Sequence, residues 1–169
     1  VYKRQKQFYD IYQDNELHNS IMYSFGFKGY IKNLEDIKNN LMNKVISCVK
    51  FKENTSFKNG YYPVFKGKKE VVKNSYKLNK KIVISGPNAS GKTTILKTTL
   101  FNIILSQQIG MGFYESAKLN PYSKIHCYLN IPDTSDRDSL FQAEARRCRE
   151  IIKSLKENPN GNHFCIFDE

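Results

Sequence analysis

The sequence predicts an α/β fold: a sheet flanked by helices, preceded by a small helical segment. Three stretches carry that prediction. Lys81-Ile82-Val83-Ile84-Ser85 is short, apolar and β-branched, and reads as a buried strand. Thr94 to Gln108 follows it with Leu96, Leu100, Ile103 and Ile104 at the spacing of one helix face. Later, a long helical pattern over roughly Ser139 to Glu157 leads into a second apolar strand, Phe164-Cys165-Ile166-Phe167.

The elements follow in order. Tyr2 to Met22 is polar and aromatic with loose helical periodicity, Phe8, Ile11 and Tyr12 sharing a face. Gly26 and Gly29 predict a bend over Ser24 to Gly29. Tyr30 to Met42 then reads as an amphipathic helix along Ile31, Leu34, Ile37 and Leu41, a packing helix before it is a lever between domains. Val45 to Phe51 reads as a strand, Asn59-Gly60 as a turn, and Tyr61 to Phe65 as extended, because Pro63 biases Tyr62 away from helix. Val71 to Asn74 is a short strand or loop, with a hairpin through Leu78 to Lys81 into the apolar strand. Gly110-Met111-Gly112 ends the central helix, and Lys124 to Asn130 reads as a strand. His126 has no carboxylate or histidine near it in sequence, so strand packing or exposure accounts for it. Asp133 to Asp136 supplies capping residues for the long helix. Its expected buried side is Phe141, Ala145, Cys148, Ile152 and Leu155. Arg146, Arg147 and Arg149 read first as a solvated face and second as a nucleic-acid contact.

At 169 residues there is room for about one domain with a proper core. The net charge of +11 suits an anionic partner, although scattered lysine is also how an ordinary solvated surface looks. Cys48, Cys127, Cys148 and Cys165 form no C-x-x-C pair and no zinc spacing, and Cys127 and Cys165 read as small core residues. No run approaches membrane-spanning length and no signal peptide is visible, so an intracellular chain (cytoplasm, nucleus or organelle) is expected. The chain opens at Val1 and stops within a motif at Asp168-Glu169, as expected of a piece of a longer protein.

Between the first strand and helix lies Gly86-Pro87-Asn88-Ala89-Ser90-Gly91-Lys92-Thr93, which fits the phosphate-loop pattern G-x-x-x-x-G-K-[ST] at every fixed position. The chemistry needs these residue types. Gly86 and Gly91 let the backbone curl so that successive N–H groups point into one cavity at the positive end of the helix. Lys92 would reach the β- and γ-phosphates, and the Thr93 hydroxyl would hold Mg²⁺. Asp168 and Glu169, delivered by an apolar strand in the same chain, form the expected second half of a nucleotide-hydrolysing site. Asp168 would bind Mg²⁺, directly or through water, and Glu169 would orient the attacking water. The blander readings are a turn that binds nothing and a solvated acidic strand end.

The stretch Gly86 to Thr94 resembles the phosphate loop of the MutS family of DNA mismatch-repair ATPases, Pro87-Asn88 being its distinguishing pair. Tyr62-Pro63-Val64 is similar to the family's His-Pro-Val segment, with Tyr62 in place of histidine. Val71 to Asn74 resembles its adenine-holding stretch. Asn74 falls on the family's asparagine, and Val71 falls where bacterial members place a stacking phenylalanine. Gln108-Ile109-Gly110 with Phe113 resembles the segment after the first helix. Asp138 to Glu144 resembles the signature, Ser139 taking the place of the serine that approaches the partner subunit's γ-phosphate. Phe164 to Glu169 resembles the Walker B strand. The Ala89-Ser90 variant and the Asp136-Arg137-Asp138-Ser139 form are more similar to divergent members, such as those of large DNA viruses.

The resemblance implies an ABC-type P-loop NTPase with a mixed sheet flanked by helices. It divides the chain into 1–56, a helical connector or core remnant of an upstream domain, and 57–169, an ATPase domain cut at Walker B. It implies ATP, with the loop from Gly86 to Thr94 and Asn74 binding it, Mg²⁺ held by Thr93 and Asp168, and Lys92, Glu169 and Ser139 acting in hydrolysis. It implies a homo- or heterodimer, with DNA bound mostly through parts outside these residues and no membrane. Two alternatives stand beside it. A recombination or chromosome-maintenance ATPase of the wider ABC type would carry a long coiled coil, and no heptad run lies between Lys92 and Asp168. A non-catalytic module would use nucleotide only to dimerise, and Glu169 argues against it.

Overall fold

The computed structural model describes residues 2–65, 67, 70–129 and 140–168. It divides into two compact units, 1–44 and 45–169. The first holds α1 (Tyr2–Gln13) and α2 (Asn15–Met42). The break between them is at Asp14, whose carboxylate accepts from the N–H groups of Glu16 and Leu17, both at 3.0 Å. This corrects the bend expected at Ser24 to Gly29. Gly26 and Gly29 remain helical because a weak helix former inside a long helix costs only about 1 kcal/mol, less than reopening the hydrogen-bond ladder.

The second unit contains β1 (Ser47–Phe51), β2 (Ser56–Gly60), a single 3₁₀ turn (Pro63–Phe65) and β3 (Asn74–Lys77). It continues with α3 (Lys92–Ile109), β4 (Met111–Gly112), β5 (Ser116–Leu119), β6 (Lys124–Tyr128), α4 (Leu140–Glu157) and β7 (His163–Phe167). Five strands form one mixed sheet in the order β3-β2-β5-β1-β4, in which only β1 and β5 run parallel. The other two form a parallel pair, β6 with β7. The mixed sheet with helices agrees with the expected α/β class. Tyr61 to Phe65 is not extended throughout, since Pro63 opens the 3₁₀ turn instead.

The core lies where α3 meets the sheets. Phe57, Ile103, Tyr114, Ala117 and Leu119 form its buried centre, and Tyr76, Tyr122, Ile125 and Phe164 close around them. Gly112 is dictated by this packing: a Cβ there would collide with the Tyr114 ring and come within 2.9 Å of Asn102 Oδ1.

Four further expectations are corrected. Lys81 to Ser85 forms no strand, and residues 81–91 are all exposed, Val83 at 93%. β-branched composition only favours a strand; a neighbour must still supply the backbone partners, and among the described residues none does. β3 pairs back onto β2 rather than forming a hairpin into this stretch. Among the α4 side chains described, Ile151 is buried and Leu155 half-buried, while Ala145, Cys148 and Ile152 are exposed; the Phe141 side chain lies outside the described ones. The helix is therefore turned by about one residue, near 100°. Finally, Cys165 is exposed rather than core, because Phe164 and Ile166 take the inward positions of β7.

Candidate nucleotide-binding loop

The loop from Gly86 to Lys92 turns the chain into α3. Gly91 caps the helix with φ +92°, a left-handed conformation that glycine adopts freely, and its carbonyl accepts the first helical bond from Ile95 N–H at 3.0 Å. Ala89 also sits left-handed, at φ +60°, where a side chain is strained. Ser90 N–H donates to Pro87 O at 3.3 Å, tightening the turn. The Lys92 ammonium reaches back and donates to Gly86 O at 2.8 Å and Pro87 O at 3.0 Å. The loop is thus folded around its own cation. No acid occupies the first turn of α3, so nothing within that turn offsets the positive end of the helix or the Lys92 charge.

These features fit a polyphosphate: exposed backbone donors, a helix N-terminus and an ammonium at its mouth. Thr93 and Thr94 occupy the first helical turn. Asn74 opens β3 in register with Gly60. Asp168 follows β7, its N–H donating to Tyr128 O at 2.8 Å. Thr93 hydroxyl and Asp168 carboxylate are the hard oxygen donors that Mg²⁺ prefers, but no hydrogen bond or ion pair links Asp168 to Lys92 or Thr93 among the described residues. Ser139 and Glu169 lie outside the described residues.

Behind the loop, α3 is held by polar side chains that its apolar periodicity concealed. Asn102 closes two connections at once: its Oδ1 accepts from Phe113 N–H at 2.7 Å and its Nδ2 donates to Tyr61 O at 3.3 Å. Gln107 does the same to one residue, receiving Tyr122 N–H at 2.8 Å and donating to Tyr122 O at 3.1 Å. Ser106 and Thr99 meet the hydroxyls of Tyr114 and Tyr76 at 2.9 and 2.8 Å. Burial pushes both phenols up to about 12. Their one sequence signal is Asn102 and Ser106, polar and four residues apart beside Ile103.

His126 corrects another expectation. It has a cross-strand partner, His163, with Nε2 3.1 Å from His163 Nδ1 and the rings stacked at 6°. His163 Nε2 lies 2.8 Å from Asn158 O, which only accepts, so His163 Nδ1 is the acceptor and His126 Nε2 donates. Desolvation, then the neighbouring His163, Lys124 and Arg147, holds the His126 pKa below its ordinary value.

No protein-family model matches the chain. Among curated proteins it is similar to the endonuclease MutS2 of Staphylococcus haemolyticus (strain JCSC1435), 27% identical over 115 residues, 66% of this chain and 14% of that protein. It is similar to the DNA mismatch repair protein MutS of Treponema denticola, 35% identical over 77 residues, 45% of this chain and 9% of that protein. It is also similar to the endonuclease MutS2 of Lachnoclostridium phytofermentans, 28% identical over 119 residues, 68% of this chain and 14% of that protein. The chain therefore spans only a small part, 14% or less, of the relatives it matches.

Proposed function

We propose that this chain, similar in part to MutS and MutS2 proteins, is the nucleotide-binding part of an ATP-dependent DNA-associated protein acting in DNA repair. The observation that carries the reading is the loop itself: Gly91 left-handed at the start of α3, with the Lys92 ammonium drawn over the turn. On binding, Lys92 would exchange the carbonyls of Gly86 and Pro87 for phosphate oxygens, and the first-turn N–H groups would take others. Thr93 and Asp168 would hold Mg²⁺, which when bound neutralises phosphate charge. Asn74 would contact the nucleotide, Glu169 would orient water, and Ser139 would complete a partner subunit's site across an ABC-type dimer.

The test is Mg²⁺-dependent ATP hydrolysis. Glu169→Gln should keep ATP bound while turnover falls at least tenfold, and Ser139→Ala should slow its partner's site in mixed dimers. Normal turnover in both would remove the catalytic assignments. A second reading is nucleotide binding without hydrolysis, since the loop and the Lys92 ammonium would be enough to hold phosphate. Tight ATP binding with no turnover on matched, mismatched or branched DNA would select it.

A further inference from the structure

We propose that α4 carries a nucleic-acid backbone contact formed by Arg149, Lys153 and Lys156. The helix sorts its cations. Ile151 is buried and Ser154 faces the sheet, its Oγ accepting from Lys124 Nζ at 3.0 Å. Arg147 belongs to that flank: its charge acts on His126 and Cys127, and it pairs with Glu150 at 3.0 Å. Opposite the buried line, at steps of four and three, lie Arg149, Lys153 and Lys156. All are exposed, and with Ile152 and Glu157 they line one surface depression. Arg146 continues the row toward the helix start. Glu157, which also lines the depression, lies 3.9 Å from Lys153. Ile152 is 52% exposed beside these cations, an apolar rib among charged stems.

The periodicity of the row matches a polyanion of regular spacing. Seven residues of helix span about 10 Å. A DNA strand carries one charge per roughly 3.4 Å of axis, and a row of this length is enough to bridge neighbouring phosphates. An acidic protein partner needs no such row, and the excess charge of the whole chain, +11, favours a polyanion over a single acidic residue. The inference rests on the proposed DNA partner but not on nucleotide hydrolysis, and it places a contact within this chain.

The experiment is fluorescence anisotropy of the full chain with a labelled 20-base-pair duplex across a salt series, without nucleotide. Triple substitution Arg149→Gln, Lys153→Gln, Lys156→Gln should weaken binding at least tenfold at low salt. It should also reduce the slope of log K against log salt by about 2 to 3, near 0.9 per phosphate contact. A matched triple on and beside the large sheet, Lys50→Gln, Lys52→Gln, Lys118→Gln, removes the same charge from other exposed positions and should leave the slope within about one unit. Arg149→Lys with the two lysines intact should keep wild-type binding, because a backbone contact needs the charge at that position, and the triple should melt as the wild type does. Equal losses in both triples, or no loss in the α4 triple, overturns the surface while leaving a DNA partner standing. Failure of the wild type to bind DNA at any salt overturns both. Tighter binding of polyglutamate than of duplex, lost in the α4 triple, overturns nucleic acid as the occupant.

Discussion

From Thr98 onward one face of α3 is enclosed, with Thr98, Asn102, Ile103 and Ser106 buried and side-chain amides clamped onto Tyr61, Phe113 and Tyr122. Over the residues just before the helix, 81–91, the chain is exposed, and the Lys92 cation bonds to the loop's own carbonyls. A rigid helix thereby presents an adaptable end. Buried bonds fix the axis from behind, so the loop needs no packing of its own to be aimed. It can then exchange internal contacts for a ligand without disturbing the core.

If that contrast is right, substitutions behind the loop should cost stability and substitutions in it should not. The largest effect should come from Gly112→Ala, whose methyl meets the Tyr114 ring and Asn102. We expect a loss of about 3 kcal/mol in urea unfolding, at the upper end for overpacking a closed core. Asn102→Ala should cost about 2 kcal/mol, because it leaves Phe113 N–H and Tyr61 C=O without their partner. A cost below about 0.5 kcal/mol in the same assay would mean that the clamp does not hold the helix.

Alkali offers a graded version of the same test. Tyr76 and Tyr114 are raised from 10.0 to about 12, so the unfolded chain releases protons first. The stability their neutral forms contribute is complete below about pH 10 and should drain away between about pH 10 and 12, with Tyr114→Phe flattening the fall. At the other end of the scale, His126 is lowered, so the unfolded chain binds the proton first. The β6–β7 pair should loosen as pH falls below about 6.5, seen as faster amide exchange in that pair alone and reduced by His126→Gln. The smallest effect belongs to the loop: Ala89→Gly relieves a left-handed alanine, yet global unfolding should move by less than about 0.5 kcal/mol. A larger shift would place the loop inside the cooperative core.

Sequence reading succeeded where the signal is local. The helix over Lys92–Ile109 and the glycine that ends it at Gly110 follow short-range rules, and both are present as expected. It failed where a partner distant in sequence decides. Val83 is apolar but finds no strand beside it, and His126 found in His163 a neighbour 37 positions away. Asn102 looked like an interruption of an apolar face and is instead its anchor. The orientation of α4 was misread for the same reason, since Ile151 and Ile152 are equally apolar and only the sheet beneath selects one.

The most direct test of the account is equilibrium binding of a fluorescent ATP analogue with Mg²⁺ to wild type and to Lys92→Ala, with melting temperature measured on both. The account predicts that Lys92→Ala loses at least a hundredfold in affinity, about 2.7 kcal/mol, while melting as the wild type does. Unchanged affinity in Lys92→Ala would contradict it, because the loop would then be a turn that carries no phosphate.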